Sequence, residues 1–166
     1  MRRLALLATT AAIAAAVLAV ISSGGSAQQT GERTLVFKET SKGETFFFVD
    51  NPPKSRSRNP ERASVSAGDL FAFGNTLLDA QKGRAGRIEG TCTAVHAGRR
   101  FDRARFDCHA TARLTDGTIS VSANLNPRRP TITGSIDGGT GAYQQARGFF
   151  TSGGEPTATD TFHVLP

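Results

Sequence analysis

From Thr34 onward the chain shows no helical period of useful length. Short runs rich in Thr, Val, Ile and Phe alternate with Gly, Asp and Pro breaks. That pattern predicts an antiparallel all-β domain. The predicted strands cover 34–40, 45–50, 69–78, a long one near 85–97, another near 100–114, then 118–125, 131–136, 148–152 and 157–165. Eight or nine short strands suit a closed barrel or a sandwich. The stretch from Asn51 to Gly68 is the one long irregular connection, and connections of that length are often functional or mobile.

The two cysteines test the strand reading. Cys92 and Cys108 are symmetric about residue 100, and Gly98-Arg99-Arg100 reads as a hairpin turn. A turn centred there places the two cysteines opposite each other on neighbouring strands, within reach of a disulfide. Such a bond would close a loop of about 15 residues and contribute about 3 kcal/mol in the chain-entropy model. The alternative is a pair of free buried thiols. In register with Cys92 lie Ile88, Gly90, Ala94 and His96; with Cys108 lie Ala104, Phe106, Ala110, Ala112 and Leu114. The opposite face carries Glu89, Thr91, Thr93, Arg103, Arg105, Asp107, His109 and Arg113, so one face is buried and the other wet. The inward face is unusually small. Either phenylalanines such as Phe37, Phe46, Phe48, Phe71, Phe73, Phe150 and Phe162 fill the space, or a cavity for an apolar ligand remains.

Two polar residues fall where apolar ones are expected. Glu39 follows Leu35 and Phe37 at period two, and Asn75 follows Phe71 and Phe73. Side chains two apart along a strand share a face. A buried acid or amide needs a partner, because an unpaired one costs about 1–3 kcal/mol or more. Each is therefore a site candidate or a structural hydrogen-bonding group. His96 reads as a rim residue, and His109 and His163 face solvent.

Ahead of this domain, Arg2 and Arg3 precede an uncharged run from Leu4 to Ile21 and a small-residue stretch ending at Ala27. A basic start, an apolar run and small residues describe a secretory signal peptide, cleaved after residue 27. The competing reading is a retained membrane anchor, the only membrane contact the sequence suggests. The domain division is thus 1–27 signal peptide, 28–33 short tail and 34–166 a single domain containing the long loop 51–68. Secretion would place the cysteines in an oxidising compartment, where a disulfide persists. Setting aside Arg2 and Arg3, 18 basic residues face 14 acidic ones, a net of +4. The basic residues cluster at Lys54, Arg56, Arg58 and Arg62 in a Pro/Ser-rich stretch that reads as a solvated loop. No basic run with interleaved aromatics occurs, which argues against nucleic acid as a partner.

Familiar catalytic arrangements are missing. There is no Gly-x-Ser-x-Gly, and three scattered histidines with two paired cysteines make no metal set, so neither a metal nor another cofactor is expected. The glycine-rich IDGGTGAYQQARGFF, 136–150, raises the question of a phosphate cradle. No Gly-Lys-Ser/Thr and no helix follow it, so it is not a P-loop.

Four segments together resemble the allene oxide cyclase-like and dirigent-like barrel superfamily, and most of all its secreted actinobacterial members. They are SAGDLFAFGNTLLDA (66–80), GRIEGTCTAV (86–95), LTDGTISVSANL (114–125) and ITGSIDGGTGAYQQARGFF (132–150). The similarity spans roughly 34–165. The resemblance implies an eight-stranded antiparallel up-and-down β-barrel, often trimeric in plants. It makes Gly138, Gly139 and Gly141 a sharp turn between late strands, and it puts Tyr143 and Arg147, with Phe71 and Phe73, in the pocket; the alternative for Arg147 is a tie from the turn to carbonyls or an acid. Plant allene oxide cyclases use an asparagine that holds a water, a glutamate on the first strand and a cysteine in the Gly-x-Cys strand. The matching positions are Asn75, Glu39 and Cys92. Pairing of Cys92 with Cys108 would remove the thiol, so the literal plant reaction is not expected.

What the resemblance implies is a secreted barrel that binds a small apolar molecule in its interior and templates its cyclisation or stereoselective coupling. If it is an enzyme, it is an isomerase or cyclase of this type. Catalysis of this style is mostly orientation. The implied partners are a small apolar ligand, a separate oxidase that generates the reactive species, and further copies of the chain in a dimer or trimer. The alternative is a non-catalytic ligand-binding barrel or an envelope protein with a filled core.

Overall fold

The structure is a computed structural model; it describes residues 31–51, 56–57, 64–154 and 156–165. The expected signal peptide 1–27 and most of the loop 51–68, with Lys54, Arg58 and Arg62, lie outside the described residues.

Among the described residues nine strands run in chain order: β1 (Arg33–Val49), β2 (Arg56–Ser57), β3 (Leu70–Leu78), β4 (Arg84–His96), β5 (Arg105–Leu114), β6 (Gly117–Leu125), β7 (Thr131–Gly141), β8 (Arg147–Gly153) and β9 (Thr159–Leu165). Each of β3 to β9 pairs antiparallel with its chain neighbour, and β1 pairs with both β3 and β9. That last pairing closes the sheet. The result is an eight-stranded up-and-down barrel, with the two-residue β2 laid on the free side of β1 at Phe48 and Val49. Closure leaves the eight barrel strands without a long open edge.

The register follows from which residues face inward. On β3 these are Phe71, Phe73, Asn75 and Leu77; on β4, Ile88, Gly90, Cys92 and Ala94; on β5, Phe106, Cys108, Ala110 and Ala112. Cys92 stands opposite Cys108, as the symmetry about residue 100 predicts, and the two are disulfide-bonded. The hairpin turn itself is longer than expected. A short 3-10 turn, Phe101–Arg103, precedes β5, so Arg103 is not on the strand.

Two expectations about strands give way. Residues 34–40 and 45–50 are not separate strands but the two halves of β1. Leu35, Phe37 and Glu39 face inward in the first half, and Phe46 and Phe48 in the second. The inward parity changes from odd to even because the register against β3 shifts between Thr40 and Thr45. The first half pairs with β9 as far as Lys38; the second half pairs with β3 and, at Phe48 and Val49, with the short β2. Likewise, Gly138 and Gly139 do not form a turn. They lie inside β7, paired with Ser120 and Ile119, and the turn comes later, over 142–146. Gly141 ends the strand at φ +62, a left-handed conformation that suits glycine. A Cβ there would also collide with the Asp116 carbonyl.

The interior holds two apolar clusters. One gathers Leu77, Ile88, Ala112, Ile119, Val121, Ala123, Ile136, Tyr143, Ala146, Phe150 and Phe162. The other gathers Phe48, Val65, Phe71, Cys92, Ala94, Ala104, Phe106 and Cys108, with Phe46, Phe73 and Phe101 packed on it. In the second cluster the Phe71 ring meets those of Phe46, Phe101 and Phe106 at 5.1–5.5 Å between centroids. Pairs in that range contribute beyond simple burial.

The base of the long loop is fastened by Asp69, which is fully buried. Its Oδ1 accepts from the Asn51 N–H at 2.9 Å and the Ser66 hydroxyl at 2.8 Å, and its Oδ2 accepts from the Ser66 N–H at 2.8 Å. Backbone bonds from Gly68 to the Ala94 carbonyl and from Ala94 to the Asp69 carbonyl, with the Val65–Gly98 bridge, complete the clamp. Burial alone would raise the Asp69 pKa; the three donors outweigh it and hold the carboxyl below the ordinary aspartate range.

Candidate functional site

The two clusters do not fill the barrel. A cavity of about 280 Å³ lies between them, near the lower end of the ~300–1,000 Å³ usual for small-molecule sites. Both sequence-level alternatives are therefore partly realised: phenylalanines occupy much of the interior, and a space remains. Phe46, Phe71, Phe73 and Phe150 form aromatic walls. Ile88, Ala110, Val121, Ala123 and the Cys92–Cys108 disulfide make up most of the rest. The small inward side chains of β4 and β5 are what leave room on that side.

The polar groups gather at one end, where β1 parts from β9. Beyond Lys38 no strand pairing joins β1 to β9; the bond from the Glu39 N–H to the Ala158 carbonyl, at 2.9 Å, is the last there. Around this opening a smaller recess, bounded by Thr40, Ser41, Pro156 and Thr157, shares Glu39, Glu44, Asn75 and Ala158 with the main cavity. It forms the mouth.

Three inward residues meet just inside it. The Asn75 amide donates to Glu39 Oε2 at 2.6 Å. Asp160 of β9 also lines the cavity and is only 1% exposed. Neither of its carboxyl oxygens has a hydrogen-bond partner of standard geometry, although the Ser152 hydroxyl and the Glu39 carboxyl are close enough to influence its ionisation. Burial, reinforced by the Asp160 charge, pushes Glu39 up to about 8; Asn75 pulls the other way, and Glu44 adds to the rise. Burial raises Asp160 as well, against the moderating Ser152 and Glu39. A buried carboxyl and a half-buried one this close cannot both ionise freely, so the pair retains a proton at neutral pH and titrates as a unit. Such a pair can donate a proton to a bound molecule or take one from it.

The structure thus brings together Glu39, Asn75, Phe71 and Phe73 of the sequence-derived candidates. It does not bring in Tyr143 or Arg147. Tyr143 is buried in the first cluster, and Arg147 is exposed. Together with Arg33, whose guanidinium lies 5.5 Å from the Tyr143 ring, they border a separate polar groove near the 142–146 turn. The reason is positional: that turn sits at the end of the barrel away from the mouth. His96 is exposed, and His109 is exposed with Nδ1 2.9 Å from the Ser122 hydroxyl. His163 is on the outer face too, half covered by the stacked Phe149 ring.

Asp160 and Ser152 were not among the candidates. The signal was present: Asp160 precedes Phe162 and Val164 at period two, as Ser152 follows Phe150. Among the described residues no cluster of metal-ligating side chains is found, and no helix is long and apolar enough to cross a membrane.

No family model matches this sequence, and none of the curated proteins does. Solved structures do. A pyocyanin demethylase is 21% identical, with 80% of this chain and all of that one covered at a TM-score of 0.61. A pterocarpan synthase dirigent protein is 18% identical, with 81% and 83% covered at 0.57. An exo-specific intermolecular Diels–Alderase, AbnU, is 12% identical, with 82% and 99% covered at 0.56. At these identities the likeness is one of fold: the chain has the same barrel fold as these three proteins.

Proposed function

We propose that this protein is a secreted barrel that binds a small, largely apolar molecule in its interior and templates that molecule's cyclisation or stereoselective coupling. The observation that carries the reading is the cavity itself: aromatic walls, with an acid pair and an amide held at one end. The walls would fix the orientation of the bound molecule, and orientation alone can remove several kcal/mol of barrier. Glu39 and Asp160 would supply or accept one proton, and Asn75 would hold Glu39 in place. Barrels of this shape serve a demethylase, a dirigent protein and a Diels–Alderase, which supports the reading at the level of fold. The disulfide suits an oxidising compartment, in keeping with cleavage of a signal peptide and an extracellular life. A separate oxidase and assembly into a dimer or trimer belong to the same proposal.

The test is native mass spectrometry of protein secreted by a host with an oxidising exterior, beside an Ala123→Phe variant that fills the cavity. The expected result is a bound small molecule on the wild-type chain and none on the variant. A wild-type barrel that emerges empty and then binds nothing from a panel of aromatic and terpenoid compounds would overturn the reading in favour of a structural barrel.

A further inference from the structure

The cavity is charged in a way that its protein partners leave unanswered. Among the described residues three carboxyl groups border it, Glu39, Glu44 and Asp160, and no Lys, Arg or His does so. Those faced by the pair from each neighbouring element are Glu44 on β1, Asn75 on β3 and Ser152 on β8; none is basic. Among the described residues neither Glu39 nor Asp160 takes part in an ion pair. This is notable in a chain whose net charge is +6. A buried carboxyl normally has a partner, because desolvation without one is costly. Asp160, almost wholly buried, has both oxygens without a standard hydrogen bond and lies in the cavity wall. The opposing walls are phenylalanine rings, whose faces attract cations.

We propose that the ligand is a flat organic cation, its aromatic body between the phenylalanine rings and its charge against the Glu39–Asp160 carboxyl pair. This deepens the preceding reading and rests on it. A neutral apolar molecule would fit the walls but leave the acid end unanswered. A cation of delocalised charge satisfies both, since its weak hydration makes the transfer from water less costly than for a compact ammonium. Because the pair holds a proton near neutrality, a bound cation would displace it, and affinity would climb with pH as the pair deprotonates.

The test compares two probes of one shape, 1-methylquinolinium and 1-methylnaphthalene, by calorimetry or fluorescence on the full mature chain. On the wild-type protein at alkaline pH the cation should bind about tenfold tighter than the hydrocarbon. Its affinity should weaken as pH falls, while that of the hydrocarbon stays flat. Asp160→Asn should weaken cation binding several-fold and narrow the preference, since Glu39 alone then faces the charge. The pH series needs no variant, so it decides the matter even if Asp160→Asn fails to fold. Hydrocarbon binding equal to or tighter than that of the cation would overturn the inference and leave the ligand-binding barrel standing. Cation binding indifferent to both pH and Asp160→Asn would overturn it as well, by placing the charge elsewhere. Binding of neither probe would sink the inference together with the reading it rests on.

Discussion

Asp69 and Asp160 are the two buried acids among the described residues, 0% and 1% exposed, and their surroundings differ in nearly every respect. Asp69 sits where β3 begins and accepts three hydrogen bonds from Asn51 and Ser66. Asp160 sits in the cavity wall with no standard hydrogen bond. One carboxyl is held below its ordinary range and the other is pushed above it. Burial is common to both, so burial does not decide what a buried acid is for. What decides is whether the fold supplies donors: a satisfied acid is a fastener, and an unsatisfied one beside a cavity is available to a ligand.

The contrast is broken most directly by removing each acid. Asp69→Ala leaves two backbone N–H groups and a hydroxyl without their acceptor at the base of the loop. It should lower stability by about 3 kcal/mol, read as the midpoint shift in urea. Asp160→Ala removes a buried acid that has no hydrogen bond of standard geometry. It should be neutral or raise stability by about 1 kcal/mol. Equal losses at the two sites would show that Asp160 has a structural role.

The pH dependence should differ in sign. The folded pKa of Glu39 lies above 4.5, so between about 4.5 and about 8 the folded chain binds more protons than the unfolded one. Stability is full below that window and declines as pH rises through it, by at most about 1.4 kcal/mol per unit. Asp69 acts the other way. Its folded pKa lies below the 3.8 of an ordinary aspartate, so its contribution is full above that value and is lost as pH falls further. Chemical denaturation across pH should give a decline on the alkaline side that the double variant Glu39→Gln, Asp160→Asn removes. A wild-type chain equally stable at pH ~5 and ~8 would sink this account of the pair.

Smaller effects sharpen the picture inside the pair. Asn75 lowers the Glu39 pKa through its 2.6 Å bond. Asn75→Leu should therefore move the Glu39 titration upward, as followed by NMR of the side-chain carboxyl carbon. The Ser152 hydroxyl lowers that of Asp160, so Ser152→Ala should move the Asp160 titration upward, by the smallest margin of the set. A downward shift in either variant would mean that the group acts by excluding water rather than by stabilising the anion.

The amino-acid sequence determined the class of the fold and much of the local pairing. Period-two alternation fixes the face each residue takes, and a hairpin is a local event, so the opposition of Cys92 and Cys108 and the inward set Phe71, Phe73 and Asn75 could be read from spacing alone. The alternation in β1 could not be followed as one strand, because the shift between Thr40 and Thr45 reverses its parity and imitates a break. The site itself was decided by the tertiary structure. Glu39 meets Asp160 only because β1 closes the barrel against β9 at the far end of the chain, a pairing that no local spacing announces. Tyr143 and Arg147 lie away from the cavity for the same reason: which end of a barrel a turn occupies depends on how all the strands are strung together. Whether small residues leave a hole or are filled from across the barrel is likewise a property of the packed interior, since the phenylalanines that could fill it come from other strands.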